Sequence, residues 1–304
     1  MKRKILLSAV LLAMFCFAQQ LFARADGQFQ KDLTVSGTVD LEVGTGSGDI
    51  HVRPSSGSTV HIVGHIRVSN WSSSNEEEKV KRIEQNPPIQ QMGSLIKIGK
   101  IDDPELRRHV SISYEITAPA DTRITANTGS GGIDIQGFKG RLSADTGSGD
   151  VDLRDISAEV KSHTGSGRIN AQNVGAPFVA STGSGDMDVA LNSAGDVDVH
   201  TGSGGIRVDH ANGSLRARTG SGDVKANGSP TSNWFVQTGS GAVTLRLADA
   251  TNFDVEASTG SGDLHLGKPV TVQGKLSKHE IHGKVGTGGP KVEVHTGSGD
   301  IEID

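Results

Sequence analysis

The stretch Leu142-Ser143-Ala144-Asp145-Thr146-Gly147-Ser148-Gly149-Asp150-Val151-Asp152-Leu153 decides the fold. Leu142, Ala144 and Thr146 alternate with Ser143 and Asp145; beyond the glycines, Val151 and Leu153 alternate with Asp150 and Asp152. Period-two alternation describes a strand with one buried face and one wet face. The two apolar sets do not share one parity, because Thr146 and Val151 are an odd number of residues apart. The register slips by one around Gly149, so two strands must meet there at a bend or bulge. Glycine permits unusual backbone angles and also lets neighbouring passes of chain lie close together.

The same string recurs. Thr-Gly-Ser-Gly occurs ten times, starting at Thr45, Thr128, Thr146, Thr164, Thr182, Thr201, Thr219, Thr238, Thr259 and Thr296. From Thr128 to Thr238 the steps are 18 or 19 residues. Aligned on the threonine, the residues four before it are apolar throughout, from Leu41 and Ile124 to Trp234 and Val292. Those five after it are Ile50, Ile133, Val151, Ile169, Met187, Ile206, Val224, Val243, Leu264 and Ile301. Each repeat is one coil that cannot bury its apolar face alone, so the coils must stack. A second bend falls where Gly140, Asn212-Gly213 and Asn227-Gly228 supply turn chemistry. The fold class is all-β: a single-stranded β-helix or solenoid-like stack of 18–19-residue coils. Propeller blades need about 40–45 residues each and do not fit. The repeated Thr and Ser hydroxyls share parity with the core and point inward or line the corner.

Composition agrees with an elongated molecule. The chain has 304 residues, 41 of them Gly, with 34% hydrophobic and only 4% aromatic residues, too few rings for one thick globular core. Lys2, Arg3 and Lys4 precede an apolar run from Ile5 to Ala18, followed by the small pair Ala23 and Ala25. This is the order of a secretory signal peptide over residues 1–25, cleaved after Ala25. The run is short against the roughly 20 residues needed to span a bilayer. Cleavage removes the lone Cys16 and four basic groups, leaving 26 basic against 35 acidic residues, a net charge of −9. An exported chain without cysteine has no disulfides, and its negative charge argues against nucleic acid as a partner. The expected location is the periplasm or cell surface, with no transmembrane segment after signal cleavage.

Residues 26–304 read as one β-helical domain, with residues 54–119 an irregular insertion or cap and 120–304 the main array. In the insertion, Thr59–Ser69, Leu95–Ile101 and Val110–Ala118 read as strands. Ser74-Asn75-Glu76-Glu77 has capping-box spacing and starts a short helix that holds Val80 and Ile83 and stops at Pro87-Pro88. Such an element can cover the open end of a stacked sheet. Residues 267–287 are expected to widen one late coil, and Thr287-Gly288-Gly289 looks like a degenerate copy of the corner.

Val110-Ser-Ile-Ser-Tyr-Glu-Ile-Thr-Ala-Pro119, continuing into Asp121-Thr-Arg-Ile-Thr-Ala-Asn-Thr-Gly-Ser-Gly-Gly-Ile-Asp-Ile135, resembles the bacterial "toastrack" putative-adhesin family. That family joins a Tyr-x-Ile-x-x-Pro strand to serial Ser-Gly-Asp-apolar-x-apolar coils. The tail from Val285 to Ile303 resembles its closing coil. The likeness spans roughly residues 30–304. It implies a β-helix-like domain that is exported or membrane-linked, and it brings no catalytic residues to carry over. Some relatives are joined to membrane segments and associated with envelope-stress signalling.

Chemistry is sparse. A calcium-binding nonapeptide roll would need Asp where Val151 stands. Asp150, Asp152, Asp186 and Asp188 still project outward on related coils, where stacked carboxylates can attract Ca²⁺. His279-Glu280-Ile281-His282 lacks zincin spacing, and the repeated Gly-Ser-Gly is not a nucleophile elbow. A polysaccharide-active or calcium-binding β-helix is the alternative to the leading reading, a non-catalytic binding, adhesin-like or scaffold module. Acidic residues crowd the earlier coils, Asp150, Asp152, Asp186 and Asp188 among them, and Arg207, Arg216, Arg218 and Lys225 crowd the later ones. This gradient is the candidate interaction surface for an envelope protein, a polysaccharide or another copy of the chain.

Overall fold

Branched aliphatic residues at alternate positions favour strands, and in a computed structural model of the chain nearly all of them lie in strands. The structure describes residues 26–68, 76–272 and 277–304. The signal read over residues 1–25 and the helix cap at Ser74 lie outside them. Among the described residues there are two sheets, one of fourteen strands (sheet I) and one of thirteen (sheet II). Each coil gives one strand to each sheet. The strand that ends in the repeated threonine, such as Leu142–Thr146, belongs to sheet I; the strand after the corner, such as Val151–Ile156, belongs to sheet II.

Successive coils pair in parallel and in register, Leu142 with Val160 and Val151 with Ile169, so each apolar column stacks on itself. The columns face one another between the sheets and form a single core. The apolar residues read from the sequence as inward are buried, except Leu264 and Leu266 of an end coil, which are partly buried. The column two before the threonine is mostly Ala or Val, which leaves room for Trp234, Phe178 and Phe253 nearby.

The insertion does two things. Asp40–Thr45 pairs directly with Arg123–Thr128, and Ile50–Ser55 with Ile133–Gln136, so the stack runs on as if residues 54–119 were absent. Within the insertion, Leu95–Ile98 pairs in parallel with Asp40–Thr45, and Val110–Pro119 with Ile50–Ser55. Together they make one further coil beneath the first. Antiparallel strands then close this end: Asp26–Thr34 on Thr59–Val68, Thr59–Val68 on Val110–Pro119, and Ile89–Met92 on Leu95–Ile98. The helix Glu76–Gln85 buries Val80 and Ile83 as expected. Glu84 accepts the Gln28 N–H at 2.9 Å and so fastens the helix to the first strand.

The other end departs from the sequence reading. The final strand Lys291–Ser298 lies between Trp234–Ser240 and Phe253–Ser261, and Ile301–Ile303 lies between Val243–Leu247 and Leu264–Leu266. The last coil in the chain is therefore the penultimate coil in space. Residues 267–287 do not widen a coil: Glu280–Val285 runs antiparallel on Phe253–Ser261, and Val270–Val272 runs antiparallel on Glu280–Val285, so the two extend sheet I at its edge. Thr287-Gly288-Gly289 is not a stacked corner either, but part of the turn into the final strand, with Gly286 and Gly288 at φ +61° and +76°.

Candidate binding surfaces and the clasps beneath them

The corner explains the repeat. At Gly147 a Cβ would stand 2.3 Å from the Gly129 carbonyl oxygen, and at Gly149 one would stand 1.8 Å from that of Gly131. No side chain fits where backbones stack this closely, and this close approach, rather than a left-handed backbone, fixes the glycines of the inner corners. The threonine before them is buried, so its hydroxyl must be satisfied. Thr164 donates to the Gly149 carbonyl of the coil below at 2.9 Å and accepts from its own coil's Gly167 N–H at 3.1 Å. The donor bond recurs at all ten threonines; Thr45 gives its own to Ile112.

The aspartate after the corner has a role that sequence reasoning missed. Asp150 accepts the Arg168 N–H of the next coil at 2.7 Å, and Asp186 accepts that of Gly205 at 2.8 Å. Asp49, Asp223 and Asp300 do the same toward Gly132, Ala242 and Asp263. In spatial order, alternate coils carry the accepting carboxylate. Coils are thus clasped in pairs, and from Asp49 to Ala242 this spacing avoids stacking like charges in register. The signal was visible in the +4 column, where Gly132, Arg168, Gly205 and Ala242 interleave with the aspartates.

The eight candidate surface residues fall on two different faces. Asp152, Asp188, Arg207 and Lys225 form one column on the outside of sheet II, in the order Asp134, Asp152, Asn170, Asp188, Arg207, Lys225. Here the expected acidic-to-basic gradient is one continuous line, with Asp150 and Asp186 at its corner edge. Much of it is internally satisfied. Asp134 pairs with Arg53 at 2.5 Å, Asp152 accepts from Asn170 at 2.8 Å, and Arg207 pairs with Asp209 at 3.0 Å. The Asp209 carboxylate, through this hydrogen bond and then its charge, raises the Arg207 pKa, and Asp188 adds to the effect. Among the described residues there is no group of three or more His, Cys, Asp or Glu side chains arranged to hold a metal ion.

Arg216 and Arg218 lie instead on the outside of sheet I, so they do not join Arg207 and Lys225. Arg216 reaches over the partly exposed Phe235 ring, 6.0 Å from its centroid, and the His295 ring lies 6.1 Å from the same ring. Arg218 stands beside His200 and Gln237 in the adjacent strands. Val179, 42% exposed, continues this face further down the stack. Sequence reading missed Phe235 because it sits on the polar parity of its strand, between buried Trp234 and Val236.

The chain belongs to the Toastrack DUF4097 family, whose profile matches residues 38–304. Among solved structures it is similar to a "putative adhesin" from Bacteroides fragilis, at 12% identity over 91% of this chain and 97% of that one, with a TM-score of 0.40. It is similar also to a "putative cell adhesion protein" from Clostridium sporogenes, at 12% identity over 91% and 98%, with a TM-score of 0.21. A third, a "putative lipid binding protein" from Parabacteroides distasonis, is 10% identical over 90% and 96%, with a TM-score of 0.28. No curated protein matches the sequence. Among the described residues no helix is long and apolar enough to cross a membrane.

Proposed function

We propose that this chain is an exported, non-catalytic binding module of the cell envelope that engages an envelope protein or polysaccharide through the outer face of sheet I. The observation that carries the reading is the Arg216–Phe235–His295 group. A phenylalanine on the solvent side of a strand, flanked by a guanidinium and an imidazole, serves no packing need of the core. Aromatic residues and arginine are the side chains that dominate recognition surfaces. The stack beneath holds this face rigid, since every strand under it is hydrogen-bonded on both sides.

The test uses residues 26–304 against fractionated envelope proteins and a polysaccharide array. Arg216→Glu with Arg218→Glu should weaken binding at least about tenfold, added salt should mimic the loss, and thermal stability should stay unchanged. Binding that ignores both the double variant and salt overturns this face as the recognition surface. Release of sugar fragments from any polysaccharide overturns the non-catalytic reading.

A further inference from the structure

Nine of the ten corners close on a stacked neighbour at both glycines; the first closes at Gly48, which rests on the Ile112 carbonyl, but stays open at Gly46. Beneath Thr45-Gly46-Ser47-Gly48 lies the coil built from the insertion, and there residues 99–111 leave the stack in place of a Thr-Gly-Ser-Gly corner. A Cβ at Gly46 would meet nothing within 4 Å, whereas one at Gly129, Gly147 or Gly165 would stand 2.2–2.3 Å from a carbonyl oxygen. Thr45, alone among the ten threonines, is only half-buried. The space left open is a cavity of about 440 Å³, within the usual size range of small-molecule sites.

Its walls pair apolar side chains with donors that lack acceptors. Val43, Ile98, Ile101, Val110 and Ile112 supply the apolar part. Tyr114 also lines the cavity, and it occupies a core column where the regular coils place an aliphatic residue or Met. Its ring packs edge-on against Phe29, yet its hydroxyl is buried with no hydrogen-bond partner. Phenylalanine would pack there without an orphaned polar atom. Burial pushes the phenol pKa upward, so it stays neutral and able to donate. At later corners the first glycine N–H donates to the threonine carbonyl below, as Gly147 does to Thr128; Gly46 has no such acceptor among the described residues. At the rim, Lys97 pairs with Glu42 and Lys100 with Asp102, while Arg107 carries no ion pair among the described residues.

We infer that the open corner is a binding site for a small monocarboxylate with an apolar body, such as a medium-chain fatty acid. Its head accepts from the Tyr114 hydroxyl, the Gly46 N–H and Arg107, and its tail lies along Val43, Ile98 and Ile112. This site is independent of the sheet I face and of any macromolecular partner found there.

Tyr114 is the only tyrosine in the chain, so ¹³Cζ-tyrosine labelling gives one NMR resonance that reports on the site. Decanoate should shift it saturably, while decylamine, which has the tail without the acceptor, should not. Tyr114→Phe should weaken decanoate binding about three- to tenfold by calorimetry without lowering the melting temperature. Arg107→Gln should weaken it at least as much. Gly46→Phe, whose side chain enters open space, should abolish binding in a chain that still folds. The inference is overturned if decanoate leaves the Tyr114 resonance in place, if decylamine binds as well as decanoate, or if the three variants bind decanoate like the parent.

Discussion

The inner coils and the two ends solve the same problem with different chain paths. Between Thr128 and Leu247 each coil is contiguous in sequence, lies on the one before it, and repeats the same corner. At the N-terminal end one coil is assembled from Leu95–Ile98 and Val110–Pro119, with its corner replaced by residues 99–111. At the C-terminal end the final coil is placed inside the stack. The N-terminal end finishes in antiparallel strands on both sheets and the C-terminal end does so on sheet I, where they pair an edge that a further parallel coil would otherwise extend. Sheet II finishes at the C-terminal end in the parallel strand Leu264–Leu266. The inner coils show what the repeat requires for stability; the ends show what can be relinquished for a stop or a site.

The largest effect should come from reversing polarity inside an inner coil. Val151 is fully buried, and Val151→Asp places an unpaired charge in the core, at a cost of more than about 3 kcal/mol. Asp152→Asn, one residue away on the wet face, should stay within about 0.5 kcal/mol. Chemical denaturation of both variants checks the face assignment, and equal losses would break it.

A smaller effect separates the closed corners from the open one directly. Gly147→Ala drives a methyl toward the Gly129 carbonyl and should cost at least about 2 kcal/mol. Gly46→Ala, at the same place in the motif, should be within about 0.5 kcal/mol of the parent. If the two melted alike, the first corner would be as closed as the rest.

The smallest effect belongs to the inserted final coil. Lys291 bridges Glu256 at 2.6 Å and Glu293 at 2.8 Å, which pushes its pKa up to about 12. Hydrogen bonds from Lys291 and then His295 hold Glu293 below its ordinary value of 4.5. A depressed carboxylate stabilises the fold at neutral pH, and that contribution fades as pH falls through its folded value. Because Lys291 is substantially exposed, Glu293→Gln should cost less than about 1 kcal/mol at pH 7. The gap from the parent should narrow as pH falls below the ordinary carboxylate range and close once the Glu293 carboxyl is protonated, and a gap that persisted in acid would assign Glu293 a packing role instead.

Much of the array is legible in the sequence because it rests on columns. Alternation fixes which residues are buried, and the odd spacing from Thr146 to Val151 fixes the corner. What escaped has physical reasons. The position of the final coil is invisible because Val292 and Val294 match the strand of any coil, and only three-dimensional closure selects their neighbours. The aspartate clasp escaped because Asp150 occupies a wet position, where solvation alone accounts for a carboxylate. The open corner escaped because Tyr114 satisfies the apolar pattern; its hydroxyl becomes informative only once its surroundings lack an acceptor. The candidate surface was legible residue by residue but not as a patch, since Arg216 and Lys225 precede and follow the same bend and so face opposite ways.

The inserted final coil has a consequence for the order of events during folding. A growing stack can add each inner coil to its predecessor as soon as that coil emerges on the side of the membrane where the chain folds. The coil of residues 253–266 cannot follow that rule, because its neighbour in space is the coil of residues 291–303, the last to emerge. Until then the edge of Trp234–Ser240 and Val243–Leu247 stands bare, and the chain of residues 253–290 must wait as an open loop. The molecule closes like a zip whose slider is its own C-terminus, so a chain cut short before Lys291 loses two coils and the antiparallel edge of sheet I together rather than one coil.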